Sequence, residues 1–212
     1  MSKNQERFNR KTHWERIYEN KASNEVSWYQ EKPEASLQFI KDLNLPKKAS
    51  ILDVGAGDSN LVDFLLENAF SNITVLDISE KAINRTKNRL GEKGRKIHWA
   101  VSDILKFKSD FLYDIWHDRA AFHFLTKESE IQKYVDLASK LIKPNGYLLI
   151  ATFAHDGPLQ CSGIEITRYS KEKLEETFQH FFELKACLHQ THNTPFKTNQ
   201  KFMYCCFRRK KQ

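Results

Sequence analysis

The chain has 212 residues, 40% of them hydrophobic, and a formal net charge of +7. That length is enough for one compact domain with its own core, whereas two domains would each be small. The first residues are polar and charged, and no apolar run approaches the roughly 18 residues of a membrane span. We therefore expect a soluble, cytoplasmic protein without a signal peptide or a membrane partner.

The basic residues are scattered, and the one dense run, "RRKKQ", is typical of a solvated C-terminal tail. Nucleic acid is therefore not an expected partner. The four cysteines include no C-x-x-C pair, which favours reduced, partly buried thiols. His189 and His192 lie three residues apart on a predicted strand and would face opposite sides of it, so no metal is predicted.

In chain order, the first predicted element is an amphipathic helix over residues 5–21, with Trp14 and Tyr18 on its apolar face. A second helix extends from Pro33. From Ser50 onward, apolar strands alternate with helical patterns, which is typical of a parallel sheet covered on both faces. The predicted strands are 50–54, 73–77, 96–101, 113–117 and 146–153, and the helices between them begin near Ser59, Ser79 and Lys127.

The last part of the chain departs from this alternation. A helix is predicted from Ser170, after the irregular stretch 154–170. Two strand-like runs follow, "FFELKACLHQ" and "QKFMYCCFRR", and with no helix between them they should pair as an antiparallel hairpin. The predicted fold is therefore α/β and doubly wound, with a mostly parallel seven-stranded sheet, helices on both faces and a C-terminal antiparallel hairpin.

Ligands of open α/β sheets bind beyond the carboxyl ends of the strands, so the residues that end each strand are site candidates. The first strand ends at Asp53 and enters a glycine-containing turn, where missing side chains let the backbone approach a ligand. Each of the next three strands ends on an acidic residue. The candidates at this rim are Asp53, Gly55, Ala56, Gly57, Asp77, Ile78, Ser102, Asp103, Ile104, His117, Asp118 and Arg119.

An acid about 20 residues beyond the glycine turn can accept hydrogen bonds from both hydroxyls of a ribose, and Asp77 has that position. Asp103 adds an acceptor where an adenine amino group would lie, with Ile78 or Ile104 as an apolar wall. Asn60 stands where the third glycine of a dinucleotide fingerprint would fall, and the rim is acidic. This pattern favours a nucleoside that carries a cation and no phosphate.

The motifs "DVGAGDS", "LDIS" and "SDIL", in this order, resemble those of the class I S-adenosylmethionine-dependent methyltransferases. The resemblance covers roughly residues 50–153 and implies a Rossmann-like fold, S-adenosylmethionine as the cofactor and methyl transfer by in-line displacement. Such an enzyme mainly aligns the acceptor with the methyl group, and it needs a base only for an acceptor that arrives protonated.

The N-terminal aromatic residues extend the resemblance. Trp14, Tyr18 and Trp28 are similar to the W-x-x-x-Y and later tryptophan of a methyltransferase-like group that includes class I protein-lysine methyltransferases acting on elongation factors. That group implies that all three contact the cofactor, whose sulfonium an aromatic face would attract. Alternatively, Trp14 and Tyr18 only pack their helix on the sheet.

The fourth strand points to a different group of relatives. "DIWHDRAAFHFL" resembles the strand-four segment of thiopurine methyltransferase and related small-molecule enzymes, where an aspartate-arginine pair follows the strand. Arg119 and Ala120 depart from the aspartate-lysine-glycine of the lysine methyltransferases. We expect a small-molecule acceptor, because the chain has no large extra domain to dock a protein, and a protein lysine is the alternative.

The predicted catalytic residues are His117, Asp118 and His155, which follow predicted strands four and five. Further candidates for a general base on the same rim are His123, Asp156, His189 and His192. Asp118 is the first choice for contact with cofactor or substrate, and its alternatives are an ion pair with Arg119 or a helix N-cap. The long loop 154–170 is expected to form part of the acceptor pocket. The predicted substrate-binding residues are Arg119, Arg168, Tyr169 and His192. Arg168 and Tyr169 could bind an anion.

We expect a single domain over residues 1–212. It would comprise a helical cap that completes the cofactor site (1–46), a cofactor-binding core (47–153) and a substrate side (154–212). Two alternatives come from other classes of protein: a nicotinamide-dependent oxidoreductase on a related fold, and a cofactor-binding partner protein without catalytic activity. No oligomeric state is predicted.

Overall fold

A seven-stranded sheet with helices on both faces forms the body of the protein in the computed structural model, which describes residues 8–211. The helices are α1 (Arg10–Asn20), α2 (Glu34–Asp42), α3 (Leu61–Glu67), α4 (Glu80–Leu90), α5 (Glu128–Leu141) and α6 (Lys171–Phe178). The strands are β1 (Ser50–Val54), β2 (Asn72–Asp77), β3 (His98–Val101), β4 (Tyr113–Arg119), β5 (Ile142–Phe153), β6 (Gln160–Cys161), β7 (Ile164–Glu165), β8 (Phe182–Asn193) and β9 (Asn199–Arg209). Within the described residues, no helix combines the length and the apolar character that a membrane span needs.

The strand order in the sheet is β3-β2-β1-β4-β5-β9-β8, and β6 and β7 pair separately. Strands β1 to β5 run parallel, β9 runs antiparallel to β5, and β8 and β9 form an antiparallel hairpin. The predicted α/β, Rossmann-like fold with a C-terminal hairpin is therefore confirmed. The order reverses between β1 and β4, and in folds of this kind a crevice for ligands forms at that point, beyond the carboxyl ends of the strands.

Most of the core lies in two layers, one on each face of the sheet, and a smaller cluster surrounds Phe153 and Phe202. Successive side chains of β1 supply both layers, because they point to opposite faces. Ile51 joins the layer under α2, α3 and α4, whereas Leu52 and Val54 join the layer under α5 and α6. Burial of each such side chain stabilises the fold by roughly 1.5–3 kcal/mol.

Two element boundaries differ from the prediction. Ile142 already pairs with Tyr113, so the "KPNG" segment lies inside β5 instead of separating it from α5. Helix α1 begins after Asn9, whose side chain accepts a hydrogen bond from the backbone N–H of Thr12. Positions 5–7 of the predicted first helix lie outside the described residues.

A disulfide joins Cys187 of β8 to Cys205 of β9, so the expectation that all four cysteines are reduced is wrong. The two residues are direct partners in the antiparallel register, which brings their side chains together. Their separation of 18 residues in the sequence does not by itself predict a disulfide, because the two cysteines become neighbours only through the register of the hairpin. Cys161 and Cys206 are buried free thiols, as expected.

Removal of this disulfide is expected to destabilise the fold. A disulfide that closes a loop of 18 residues lowers the conformational entropy of the unfolded chain. This stabilises the folded state by up to about 3 kcal/mol. Replacement of both Cys187 and Cys205 with alanine should lower the free energy of unfolding by up to that amount, measured by urea denaturation. A reducing agent should destabilise the wild type and leave the double variant unchanged. Four alkylatable thiols in unreduced, unfolded wild type would contradict the bridge.

Candidate active site

A cavity lies at the carboxyl ends of the parallel strands, beside α1, and is called here the inner cavity. Three separate stretches of the chain meet in it: the N-terminal aromatic residues, the ends of β1 to β3, and the end of β4. The predicted site residues that line it are Trp14, Tyr18, Trp28, Gly55, Asp77, Ile78, Ser102, Asp103, Ile104 and Arg119.

Asp77 ends β2 and is buried beside the glycine turn. Its two oxygens accept N–H hydrogen bonds from Gly57 (2.8 Å) and Ser79 (2.7 Å), which fixes the carboxylate and leaves each oxygen able to accept another bond. Burial raises the pKa of Asp77 to about 6; the two N–H donors oppose this rise, whereas the Asp53 and Asp58 carboxylates add to it. A ligand that donates hydrogen bonds or carries positive charge would therefore stabilise the ionised form.

Asp103 follows β3 and caps a short 3-10 helix, Ile104–Lys106. One of its oxygens accepts the backbone N–H of Leu105 at 2.9 Å. The other oxygen has no hydrogen-bond partner among residues 8–211 and can accept a bond from a ligand. Ile78 and Ile104 line the inner cavity with it, so an acceptor and two apolar side chains converge, as the binding of an adenine requires.

The two glycines of the turn leave room for other parts of the protein. Gly55 and Gly57 both have positive φ, +59° and +58°. A Cβ at Gly57 would lie 2.2 Å from the Tyr18 hydroxyl oxygen, and one at Gly55 would lie 2.4 Å from the Ala121 Cβ. Both positions therefore require glycine for conformation and for packing, before any ligand is considered.

Aromatic rings form the wall of the inner cavity beside α1. Trp14 stands edge-to-face with Trp28 and Phe124, at centroid distances of 5.7 and 5.1 Å. The ring centroids of Tyr18 and Trp28 lie 6.5 Å apart. Trp14 and Tyr18 thus do more than pack the helix, because both line the cavity. Such ring faces attract cations and exclude water.

Helix α1 is fastened to the body at two points that the sequence did not indicate. Glu15 accepts the N–H groups of Glu80 and Lys81 at the start of α4, where the helix dipole favours a carboxylate. Burial alone would raise the pKa of Glu15, but these donors bring it below its usual value. Arg10 makes a bidentate pair with Glu130 of α5, at 2.6 and 3.0 Å. These contacts hold the aromatic wall over the rim.

Arg119 ends β4 and meets two other parts of the chain. Its Nε donates to the Tyr204 hydroxyl and its Nη1 to the Trp28 carbonyl, each at 3.0 Å. The guanidinium lies over the Phe202 ring, 5.0 Å from its centroid. Arg119 is therefore fixed at the boundary of the inner cavity.

A small cavity adjoins the inner cavity near α2. The two share Trp28, Gly55 and Arg119. The further predicted site residues that line the small cavity are Asp53, Ala56 and His117.

His117 is the central member of a buried hydrogen-bonded row. Its Nδ1 lies 2.7 Å from an Asp53 oxygen and its Nε2 lies 2.8 Å from the Ser36 hydroxyl. All three residues are buried. Because both ring nitrogens are occupied, the structure does not support His117 as a general base toward an acceptor.

Asp118 faces the core, which contradicts its predicted contact with cofactor or substrate. It is fully buried; one oxygen accepts the N–H groups of Ala121 and Phe122, and the other accepts the Tyr134 hydroxyl at 2.7 Å. The alternative of a helix N-cap is met only in part: Asp118 binds these two N–H groups from the end of β4, but the N-cap residue of the 3-10 helix Phe122–Phe124 is Ala121. Arg119 is the next residue of the strand and faces the opposite side.

Arg168 and Tyr169 do not line the inner cavity, contrary to the anion-binding role predicted for them. Arg168 donates to the Gly157 carbonyl at 3.2 Å. Tyr169 is fully buried, with its ring 5.3 Å from that of Phe122. The loop after β5 contributes Cys161 to the cavity instead. Burial raises the pKa of the Cys161 thiol to about 11.

His155 and His192 also lie away from the inner cavity, so neither predicted role is supported. His155 is exposed after β5. The Nε2 of His192 lies 2.8 Å from the Ser27 carbonyl oxygen and fastens that segment to β8. In the part of the chain that the structure describes, no group of three or more histidine, cysteine or acidic residues could hold a metal ion.

Six further residues line the inner cavity, and none was predicted singly as a site residue, although Cys161 belongs to the loop 154–170 that was expected to form part of the acceptor pocket. They are mostly apolar: Ala120, Phe124, Leu125, Phe153, Cys161 and Phe202. Phe153 and Phe202 are partners in the register of β5 and β9, so only the pairing of the hairpin reveals their proximity.

An outer cavity of about 1030 Å³ adjoins the inner one and is large enough for a small molecule. Three lysines on its wall form no ion pair with another residue between 8 and 211: Lys11, Lys106 and Lys127. The residues that it shares with the inner cavity are Arg10, Trp14, Ile78, Ser102, Asp103 and Phe124.

Comparison with known sequences agrees with this geometry. A family model described as a methyltransferase domain matches residues 52–148. EEF1A lysine methyltransferase 2 of Danio rerio is 28% identical over 167 residues, which are 76% of this chain and 66% of that protein. Malonyl-[acyl-carrier protein] O-methyltransferase 2 of Ilyobacter polytropus is 31% identical over 120 residues, 56% of this chain and 44% of that protein. The chain thus spans less than two thirds of the length of these two relatives.

Solved structures show the same fold at low sequence identity. The N-methyltransferase NodS of Bradyrhizobium japonicum, solved with S-adenosylhomocysteine, superposes with a TM-score of 0.70 at 16% identity, over 94% of this chain and 100% of that one. A protein from work on thioacetal formation in echinomycin biosynthesis reaches 0.78 at 16% identity, over 95% and 92% of the two chains. The motifs, the fold and these relatives together support a class I S-adenosylmethionine-dependent methyltransferase.

Proposed function

We propose that this protein transfers a methyl group from S-adenosylmethionine to an acceptor in the inner cavity. The observation that carries the proposal is the convergence of two carboxylates, Asp77 and Asp103, and an aromatic wall on one cavity. The carboxylates suit a nucleoside with hydroxyl and amino donors, and the ring faces suit a sulfonium. When bound, the cofactor would supply an activated methyl group.

Each part of the cofactor has a residue to hold it. Asp77 would accept the ribose hydroxyls, and Asp103 the adenine amino group. Trp14, Tyr18 and Trp28 would face the sulfonium and exclude water. The methionyl end would lie toward the small cavity, lined by Asp53, Gly55, Ala56 and Arg119. The Gly57 N–H is bonded to Asp77, so Gly57 would act by holding that carboxylate rather than by touching the ligand.

Among residues 8–211, the apolar side of the inner cavity formed by Ala120, Phe124, Leu125, Phe153, Cys161 and Phe202, called here the acceptor end, contributes no base. Asp118 faces the core, both nitrogens of His117 are bonded, and His155 is exposed elsewhere. Cys161 is a protonated thiol near neutral pH, because its pKa is about 11. The protein would therefore act by aligning an acceptor that arrives unprotonated, and alignment contributes roughly 7–11 kcal/mol to such reactions.

The absence of a base favours a small molecule with a nucleophile that is unprotonated near neutral pH, such as a thiolate, a carboxylate or an aromatic nitrogen. The three unpaired lysines of the outer cavity outnumber its two carboxylates without an ion pair among residues 8–211, Asp103 and Glu165, and would favour an anionic acceptor over a cationic one. A protein lysine is the second candidate, favoured by the relation to EEF1A lysine methyltransferase 2. Its ammonium would have to lose a proton before it reached the methyl group.

The organisation of the chain enters the proposal in the same way. Residues 1–46 would complete the cofactor site, 47–153 would bind the cofactor and 154–212 would bear on the acceptor. The expectation of a soluble, cytoplasmic protein stays a prediction from composition.

The affinity for S-adenosylhomocysteine is expected to fall as the pH drops through about 6, the pKa of Asp77. Free protein takes up a proton there, whereas ribose hydroxyls donate to the carboxylate, so protonation competes with binding. One such group gives a loss of roughly tenfold between pH 7 and pH 5, measured by calorimetry. Asp77→Asn should bind weakly at both values and lose the dependence. The same slope in the variant would sink the assignment of Asp77.

Trp28→Leu should weaken S-adenosylmethionine more than S-adenosylhomocysteine, because only the first ligand carries a sulfonium. The difference expected from one aromatic face is roughly 0.5–2 kcal/mol. Trp28→Phe is the matched control and should keep most of the preference, since it retains a ring. An equal loss for both ligands would mean that Trp28 only shapes the cavity.

Methyl-labelled cofactor, incubated with the protein and a fractionated cell extract, should transfer label to the low-mass fraction. This outcome follows from the small, apolar acceptor end without a base. The Asp77→Asn variant serves as the control for transfer by other enzymes in the extract. Label in protein lysine would favour the second candidate, and no transfer to any fraction would speak against catalysis.

A further inference from the structure

A serine, a histidine and an aspartate form one hydrogen-bonded row beside the small cavity. Ser36 lies in the first turn of α2, His117 in β4 and Asp53 in β1, so three distant parts of the chain build it. The Ser36 hydroxyl lies 2.8 Å from Nε2 of His117, whose Nδ1 lies 2.7 Å from Asp53. All three side chains line the small cavity. The proposed methyl transfer gives no role to Ser36 or to the His117 ring.

The partners of His117 determine where its proton lies. A carboxylate only accepts hydrogen bonds, so we assign the proton of the neutral ring to Nδ1, which donates to Asp53. Nε2 is then an acceptor and takes its hydrogen bond from the Ser36 hydroxyl. All three residues are buried, so water competes little for these bonds. A base that is bonded to a hydroxyl and oriented by a carboxylate is the arrangement that activates a serine as a nucleophile.

The first turn of α2 supplies donors for a developing negative charge. The backbone N–H groups of Ala35 and Ser36 form no hydrogen bond with any residue between 8 and 211. They lie at the positive end of a helix of nine residues. Backbone donors of this kind stabilise the oxyanion that forms when a hydroxyl attacks a carbonyl carbon.

The small cavity limits the size of a group that reacts at Ser36. Its volume of about 50 Å³ has room for a few water molecules or an acetyl group, but not for a long acyl chain. It adjoins the inner cavity at Trp28, Gly55 and Arg119, so the alcohol part of an ester can extend in that direction.

We propose that Ser36 is an activated nucleophile and that the cofactor-free protein hydrolyses short-chain esters at this row. Ser36 Oγ bonds to the acyl carbon while His117 Nε2 accepts the hydroxyl proton, and the alcohol leaves with that proton when the ester C–O bond breaks. Water then attacks the acyl-Ser36 ester and gives one proton to Nε2. The carboxylic acid is released, and Nε2 returns the proton to Ser36.

This inference is independent of the proposed function. It concerns the protein without cofactor, because the methionyl end of S-adenosylmethionine would occupy the same small cavity. It also leaves the methyl acceptor without a base, since His117 acts only toward Ser36.

Two small reagents test the proposal on the full chain without cofactor. Methanesulfonyl fluoride should sulfonylate Ser36 with loss of fluoride, and peptide mass spectrometry would locate the label. Hydrolysis of 4-nitrophenyl acetate should begin with a burst of 4-nitrophenolate as acetyl-Ser36 forms. Ser36→Ala should lose the label and the burst and hydrolyse at least about 100-fold more slowly. The matched control is Ser139→Ala, another buried helical serine, which should behave as the wild type does.

The other two members of the row have different expected effects. His117→Gln should also lose the label and the burst, because it removes the base. Asp53→Asn should lower kcat for 4-nitrophenyl acetate by at least about tenfold and leave KM unchanged, since Asp53 orients His117 and does not contact the ester.

Two results would overturn the inference: a wild type in which Ser36 stays unlabelled, or a Ser36→Ala variant that hydrolyses the ester at the wild-type rate. The first result needs only the wild type, so it decides even if a variant does not fold. Failure of the wild type to bind S-adenosylmethionine would instead reject the proposed function and leave this inference in place.

Discussion

The contact between the Tyr18 hydroxyl and Gly57 joins the N-terminal helix to the glycine turn, and the arrangement of the site depends on it. A side chain at Gly57 would occupy the place of the Tyr18 hydroxyl, 2.2 Å away, and would displace the aromatic wall. The same glycine donates its N–H to Asp77. One residue without a side chain therefore positions a ring on one side and a carboxylate on the other.

The carboxylates of the rim are compensated to different degrees. Asp58 is paired with Arg85 and accepts the Ser23 hydroxyl, and Asp53 is bonded to His117. Asp77 has only two backbone donors, and burial with acidic neighbours raises its pKa. Negative charge is thus least compensated at the place where a ribose and a cationic ligand would lie, so ligand binding would stabilise the ionised rim.

Much of the fold and part of the site follow from sequence, because strand periodicity and strand ends are local properties. The direction in which a side chain points beyond the end of a strand is not a local property of the sequence. Residues 117 to 119 of β4 alternate: His117 and Arg119 line the small cavity, whereas Asp118 faces Tyr134 in the core. Three consecutive residues of a strand cannot all face the same site, because their side chains alternate between the two faces of the sheet. This constraint could have been applied to the sequence. Pairing of Cys187 with Cys205 depends on hairpin register, which no local pattern shows.

The fixed guanidinium of Arg119 links parts of the molecule that are distant in sequence. Trp28 comes from the segment after α1, and Phe202 and Tyr204 come from β9. Arg119 therefore connects the C-terminal hairpin to the aromatic wall through direct contacts. Phe202 lines the inner cavity only, whereas Arg119, which lies over its ring, lines both the inner and the small cavity. A change in the hairpin would reach both ends of the site through this residue.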